Sequence, residues 1–170
     1  MVQETTTSHD WREAGEAWGD RATDWAYLWE PYARSANQAV FDQLAVADGT
    51  RLLDIACGSG FAAHLASERG AAVSGIDASE ALVAIARART PEGDLRVGDM
   101  FALPFPDASF DTATSFNGIW KGCGPSVPAI RAVGLDDFCD ALRSVIEPMH
   151  IPGVGIRITS EFDWITACSR

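Results

Sequence analysis

The sequence offers no basic face and no paired cysteines, and each shortage removes a class of function. Thirteen lysines and arginines stand against 24 acids, for a net charge of −11. A phosphate backbone needs a positive surface, so nucleic acid falls away as an expected partner, and diffuse acidity of this kind keeps a chain soluble. Cys57, Cys123, Cys139 and Cys168 stand far apart without a C-x-x-C pair, and His9, His64 and His150 form no ligand pattern. Reduced thiols and no metal site are expected. No stretch approaches the roughly 18 apolar residues that would span a bilayer. The first ten residues, MVQETTTSHD, lack the basic start and apolar core of a signal peptide. The expectation is a cytoplasmic protein without a membrane partner. No repeat, linker or low-complexity stretch interrupts the chain. Its 170 residues, 47% hydrophobic, suffice for one domain with a sizeable core.

What is present begins with helix. From about Asp10 to Val46 the pattern is helical, and Trp11, Trp18 and Trp25 recur every seven residues, the spacing of one helical face. Gly15, Gly19 and Pro31 interrupt it, so two or three pieces are expected, one ending before Pro31 and one over about Tyr32 to Leu44. The tryptophans read either as a packing stripe or as a lid over a ligand. Then the texture changes. Arg51 to Ala56 is a short apolar run of buried-strand type, Phe61 to Arg69 is helical and stops at Gly70, and Ala72 to Ile76 is a second strand entering Asp77. Ser79 is a suitable N-cap for a helix from Glu80 to Arg89, which Pro91 cannot extend. Strands are expected around Asp94 to Val97, over Phe110 to Phe116 and, after a helix from Leu135 to Ile146, over Val154 to Thr159. Strands alternating with helices predict a parallel sheet with right-handed crossovers.

The junction Asp54-Ile-Ala-Cys-Gly58-Ser-Gly60 is the chemically informative segment, because glycines there let a ligand touch the backbone where strand gives way to helix. Taken alone it is ambiguous. Gly58-x-Gly60-x-x-Ala63 also fits a permissive dinucleotide fingerprint, with Asp77 nineteen residues on as a ribose acid in either case. Asp54 discriminates, since a pyrophosphate wants a helix start free of competing anions, whereas a carboxylate suits a ligand carrying an ammonium and a sulfonium. Asp99 adds an acceptor for an adenine amino group, and the backbone of Met100 a donor for a ring nitrogen.

The runs Leu-Leu-Asp-Ile-Ala-Cys-Gly-Ser-Gly, Gly-Ile-Asp77-Ala-Ser, Gly98-Asp99-Met and Leu-Pro-Phe-Pro-Asp-Ala-Ser-Phe-Asp111 stand in the order of the class I methyltransferases. The chain resembles that family, especially its small-molecule members related to ubiquinone and menaquinone methylation. The resemblance implies an α/β, Rossmann-like parallel sheet with helices on both faces and S-adenosylmethionine as cofactor, yielding S-adenosylhomocysteine. Cofactor contacts are implied for Asp54, Ala56, Gly58, Gly60, Asp77, Ala78, Asp99 and Met100, and for the backbone at Phe116 and Asn117. Asp111 reads better as a strand-opening residue.

The expected activity is methyl transfer to a small-molecule acceptor. The alternatives are a non-catalytic or truncated cofactor-binding module and, behind it, a nicotinamide-dependent oxidoreductase. Trp18, Trp25, Trp29, Tyr32 and Trp120 are candidates for an apolar acceptor pocket. No residue identifies itself as a general base. Within one domain, residues 1–47 read as a helical lid segment, 48–120 as the cofactor-binding core and 121–170 as an atypical C-terminal part without the family's usual antiparallel hairpin. That would leave Val154 to Thr159 on an open edge and favour a homo-oligomer paired through it.

Overall fold

The computed structural model describes residues 11–116, 150–151 and 155–156. They fall in two compact units, Met1–Ile119 and Trp120–Arg170. In the first unit, helix α1 (Trp11–Gly19) is followed by a single turn α2 (Ala22–Asp24), a π-helical turn over Trp25–Trp29, a 3-10 turn over Glu30–Ala33 and helix α3 (Arg34–Gln43). Pro31 sits at the start of the 3-10 turn, where its missing N–H is one the helix would leave unpaired anyway. The seven-residue tryptophan spacing does not survive as one helical stripe. Trp18 and Trp25 do meet, edge to face at 5.1 Å, but across the break after Gly19, because α1 ends there.

Strands β1 (Arg51–Ile55), β2 (Ala72–Asp77), β3 (Asp94–Val97) and β4 (Thr112–Thr114) form a parallel sheet in the order β3-β2-β1-β4. Helix α4 (Phe61–Ser67) connects β1 to β2, and α5 (Glu80–Arg89) connects β2 to β3. Both crossovers step in the same direction, so right-handed connection places both helices on one face of the sheet. They pack side by side there, with α3 against α4. The helix expected over 135–146 lies outside the described residues. A core of Phe41, Leu52, Phe61, Leu65, Val83 and Leu95 fills the space between sheet and helices, each large side chain contributing about 1.5–3 kcal/mol by leaving water.

Local chemistry sets the element boundaries. Ser79 caps α5, its hydroxyl accepting the Leu82 N–H at 3.4 Å, and Gly70 takes a positive φ of 87° to turn the chain after α4. Gly60 allows α4 and α5 to touch: a Cβ there would lie 2.6 Å from that of Ala86. The strand expected over Phe110 to Phe116 is shorter than its apolar run. Asp111 stands just before it and accepts the Arg51 backbone N–H at 2.9 Å and its guanidinium at 3.1 Å, fastening the starts of β1 and β4.

In the second unit, β5 (His150–Ile151) and β6 (Gly155–Ile156) pair antiparallel as a two-stranded sheet of their own. This corrects the expectation of a fifth strand continuing the parallel sheet from Val154. The pairing is local in sequence, His150 opposite Ile156 and Ile151 opposite Gly155. Residues 157–159 of the expected strand lie outside the described residues.

Candidate functional site

Because β2 and β3 lie on one side of β1 and β4 on the other, the chain changes direction between β1 and β4. The carboxyl ends of parallel strands open a crevice at such a switch point. Asp54 and Thr114 are register partners there. The Thr114 hydroxyl donates to Asp54 Oδ1 at 3.0 Å, in a site where Asp54 is only 2% exposed. Burial pushes the Asp54 carboxyl up to about 7, the Thr114 hydrogen bond opposes that, and the nearby charges of Asp77 and Glu30 reinforce it.

The chain leaves β1 through a run of left-handed backbone. Ala56, Gly58 and Gly60 have φ of 57°, 54° and 74°, and α4 starts immediately after. Only glycine adopts that conformation freely, so Ala56 carries strain that the loop must hold in place. The acid at the end of β2 holds it. Asp77 Oδ2 accepts the Gly58 N–H at 2.9 Å, and Oδ1 accepts the Ser79 N–H at 2.8 Å. Burial raises the Asp77 carboxyl while these two N–H groups pull it down. The Ala78 N–H also pulls it down, and three donors still leave the carboxylate some acceptor capacity. Ala78, next in sequence, faces α1, where a Cβ on Gly15 would come within 2.1 Å of its carbonyl oxygen.

Sequence reasoning missed a third acid at this loop and the two residues that hold it. Glu30, at the junction of the π and 3-10 turns, accepts the Ser59 N–H at 3.2 Å, the Ser59 hydroxyl, the Trp25 indole N–H at 2.9 Å and an Arg89 N–H at 2.7 Å. Arg89 also donates to the Ala26 carbonyl at 2.7 Å and the Ser59 carbonyl at 3.1 Å. Partners twenty-nine and fifty-nine residues apart leave no local pattern to read. Cys57, buried beside them, has its thiol pushed up first by burial and then by Asp54 and Asp77.

After β3, Asp99 is half-buried and its Oδ1 accepts the Phe101 N–H at 2.9 Å. Arg96 grips the following loop by donating to the Pro104 carbonyl at 2.8 Å. Asp54, Ala56, Gly58, Gly60, Asp77, Ala78, Asp99 and Met100 thus all stand at or beyond the carboxyl ends of β1 to β3. The Phe116 ring packs edge-on against Phe41 at 5.7 Å, which leaves its backbone for any ligand contact. Asn117 and Trp120 lie outside the described residues. Of the acceptor-pocket aromatics, Trp18 and Trp25 are committed to each other, while Trp29 and Tyr32 are 61% and 76% exposed. A cleft of ≈ 560 Å³ between α1 and the start of α5 is lined by Trp11, Gly15, Gly19, Ala78, Ser79 and Val97 among others. It abuts the turn at Ala78, but none of Asp54, Asp77 and Asp99 lines it. Among the described residues no cluster of His, Cys, Asp or Glu could hold a metal, and no helix is long and apolar enough to cross a membrane.

The residues fit a cationic adenosyl ligand: Asp54 is a buried carboxyl with no cation partner among the described residues, and Asp77 is fixed with spare acceptor capacity beside a glycine loop. Comparison with known proteins agrees. Residues 52–133 match a family model described as a methyltransferase domain. This segment is similar to class I S-adenosylmethionine-dependent methyltransferases. The methyltransferase segment is 38% identical over 91 residues to a probable S-adenosylmethionine-dependent methyltransferase of Mycolicibacterium smegmatis, covering 53% of this chain and 35% of that protein. It is 34% identical over 86 residues to the demethylmenaquinone methyltransferase of Renibacterium salmoninarum, covering 51% and 36%. It is also 42% identical over 85 residues to the mouse 18S rRNA (guanine-N(7))-methyltransferase, covering 47% and 30%. The chain thus spans about a third of the length of these curated relatives. Among solved structures, a putative methyltransferase from Haloferax volcanii, in complex with its Trm112 activator, superposes with a TM-score of 0.54 at 28% identity, covering 68% of this chain and 50% of that one. The nicotinamide alternative is set aside by the family and by three carboxylates crowding the loop where a pyrophosphate would lie.

Proposed function

We propose that the chain transfers a methyl group from S-adenosylmethionine to a small-molecule acceptor. The observation that carries this reading is Asp54, a desolvated carboxyl at the switch point whose ionised form a bound ammonium or sulfonium would stabilise. When bound, the cofactor supplies an electrophilic methyl on a sulfonium that is already a good leaving group, so the protein's contribution is alignment and exclusion of water. Asp54 and the backbone at Ala56 and Gly58 serve the aminoacyl end. Asp77 accepts from the ribose hydroxyls with its free lone pairs, Ala78 flanks the sugar, and Asp99 with Met100 receives adenine. The site uses no fixed general base from among these residues.

The acceptor is best read as a small, apolar or aromatic molecule. The net charge of −11 repels a nucleic-acid backbone, and the exposed Trp29 and Tyr32 offer an apolar wall on the segment nearest the glycine loop. The quinone-type relatives point the same way, whereas the mouse relative's rRNA acceptor would need a positive surface that this composition does not supply. The test is a calorimetric titration with S-adenosylhomocysteine, followed by detection of its formation from S-adenosylmethionine across a panel of phenols, quinols, amines and an RNA control. Micromolar binding with turnover of a small acceptor is expected. Binding without turnover of any acceptor would make the chain a cofactor-binding module, and turnover of RNA alone would overturn the small-molecule reading.

A further inference from the structure

Glu30 is 9% exposed in its side chain, yet four donors from three places reach it: the Trp25 indole, the Ser59 N–H and hydroxyl, and Arg89. Its Oε1 lies 3.0 Å from where a Cβ of Gly58 would stand, so the carboxylate rests directly against the cofactor loop. Arg89 closes the knot by holding the Ala26 carbonyl at the other end of the π turn. Residues 25–30 are therefore fastened at both ends to one glycine-loop residue, Ser59, which is completely buried. A carboxylate and a guanidinium both taken out of water and tied to so few partners specify position more than they add stability.

We propose that Glu30 is a positioning residue that clamps the N-terminal segment to the glycine loop, so that cofactor affinity depends on that segment being in place. The proposal rests on the reading of this loop as the cofactor site. The clamp holds Ser59, and through it the left-handed path of residues 56–60, in the geometry a ligand needs. The same clamp carries Trp29 and Tyr32 with it, so the aromatic wall and the loop move as one body. The neutral Glu30→Gln keeps the shape but exchanges an acceptor for a donor and loses the charge Arg89 needs. Arg89→Lys keeps the charge but cannot reach Glu30, Ser59 and Ala26 together.

The experiment combines S-adenosylhomocysteine affinity, melting temperature and amide hydrogen exchange over residues 25–33 and 56–60 in wild type, Glu30→Gln and Arg89→Lys. Expected are a roughly tenfold weaker Kd in Glu30→Gln, a smaller loss in Arg89→Lys, and faster exchange in both segments. Ligand should slow exchange over 25–33 in the wild type. A folded Glu30→Gln that exchanges faster or melts lower with Kd within twofold of wild type would show a purely structural knot and overturn the proposal. If Glu30→Gln does not fold, Arg89→Lys decides by the same criteria. A wild type that binds no S-adenosylhomocysteine overturns the proposed function instead, and ligand-free exchange of the two segments still decides whether the clamp exists.

Discussion

Gly58 donates its backbone N–H to Asp77 at 2.9 Å, so the loop after β1 and the acid after β2 form one hydrogen-bonded unit. Asp77 consequently has two duties: it fixes the loop and it receives the ligand. Asp77→Ala is expected to weaken S-adenosylhomocysteine binding roughly 10- to 100-fold, through charge-assisted hydrogen bonds worth about 1.5–3 kcal/mol. It should also lower the melting temperature, because the Gly58 and Ser79 N–H groups lose their acceptor. Calorimetry on the folded variant is the check, and unchanged affinity would remove Asp77 from the ribose site.

Gly58→Val is expected to abolish binding while leaving helix content nearly intact by far-ultraviolet circular dichroism. The position has φ of 54°, and a Cβ there would meet Glu30 Oε1 at 3.0 Å, so a branched side chain strains the backbone and displaces the acid resting on it. Wild-type binding by this variant would mean that the loop is not the cofactor cradle.

Asp54 makes both stability and binding depend on pH, with opposite signs. Its carboxyl is raised from an ordinary 3.8 to about 7 in the folded protein. The raised value favours the protonated folded state, so its contribution is fully present below pH 3.8 and is lost as pH rises through about 7. A cationic ligand favours the ionised carboxyl, so affinity should climb over the same interval near neutrality. Asp54→Asn still accepts from Thr114, and is expected to raise the melting temperature of the free protein at pH 8 while weakening ligand and flattening its pH profile. A ligand affinity with the same pH profile in both proteins would show that Asp54 does not face the cation.

Ala56 occupies the left-handed region with φ of 57° where a Cβ is unwelcome. Ala56→Gly should stabilise the fold by up to about 1 kcal/mol, the relief of strain exceeding glycine's extra unfolded-state entropy. Denaturant titration measures it. A destabilised variant would mean that the Ala56 methyl makes packing contacts worth more than the strain.

The parts of the site written locally were legible in the sequence. The β1 apolar run, the glycine junction, Ser79 as cap and Asp77 nineteen residues on are all short-range patterns, and each stands where those patterns place it. Asp111 is likewise the strand-opening residue its position suggests, gripped by Arg51 and held down to about 2 by that partner. Gly19 is one of the interruptions the sequence offers, and the break after it turns the seven-residue tryptophan spacing into an edge-to-face pair of Trp18 and Trp25. Glu30, Ser59 and Arg89 were invisible for a different reason: their association depends on how α5 and the π turn are brought against the loop, a tertiary fact with no local signature. The Val154 run was ambiguous because alternation identifies a strand without naming its partner.

The crowd of acids around Cys57 has a consequence for the protein's own chemistry. A thiolate is among the best natural acceptors of an alkyl group, and this one adjoins the place where an alkylating sulfonium would dock. Burial together with Asp54 and Asp77 keeps it a thiol. The negative charge that would draw in the donor therefore also keeps this buried sulfur from being alkylated, guarding the loop against its own reagent.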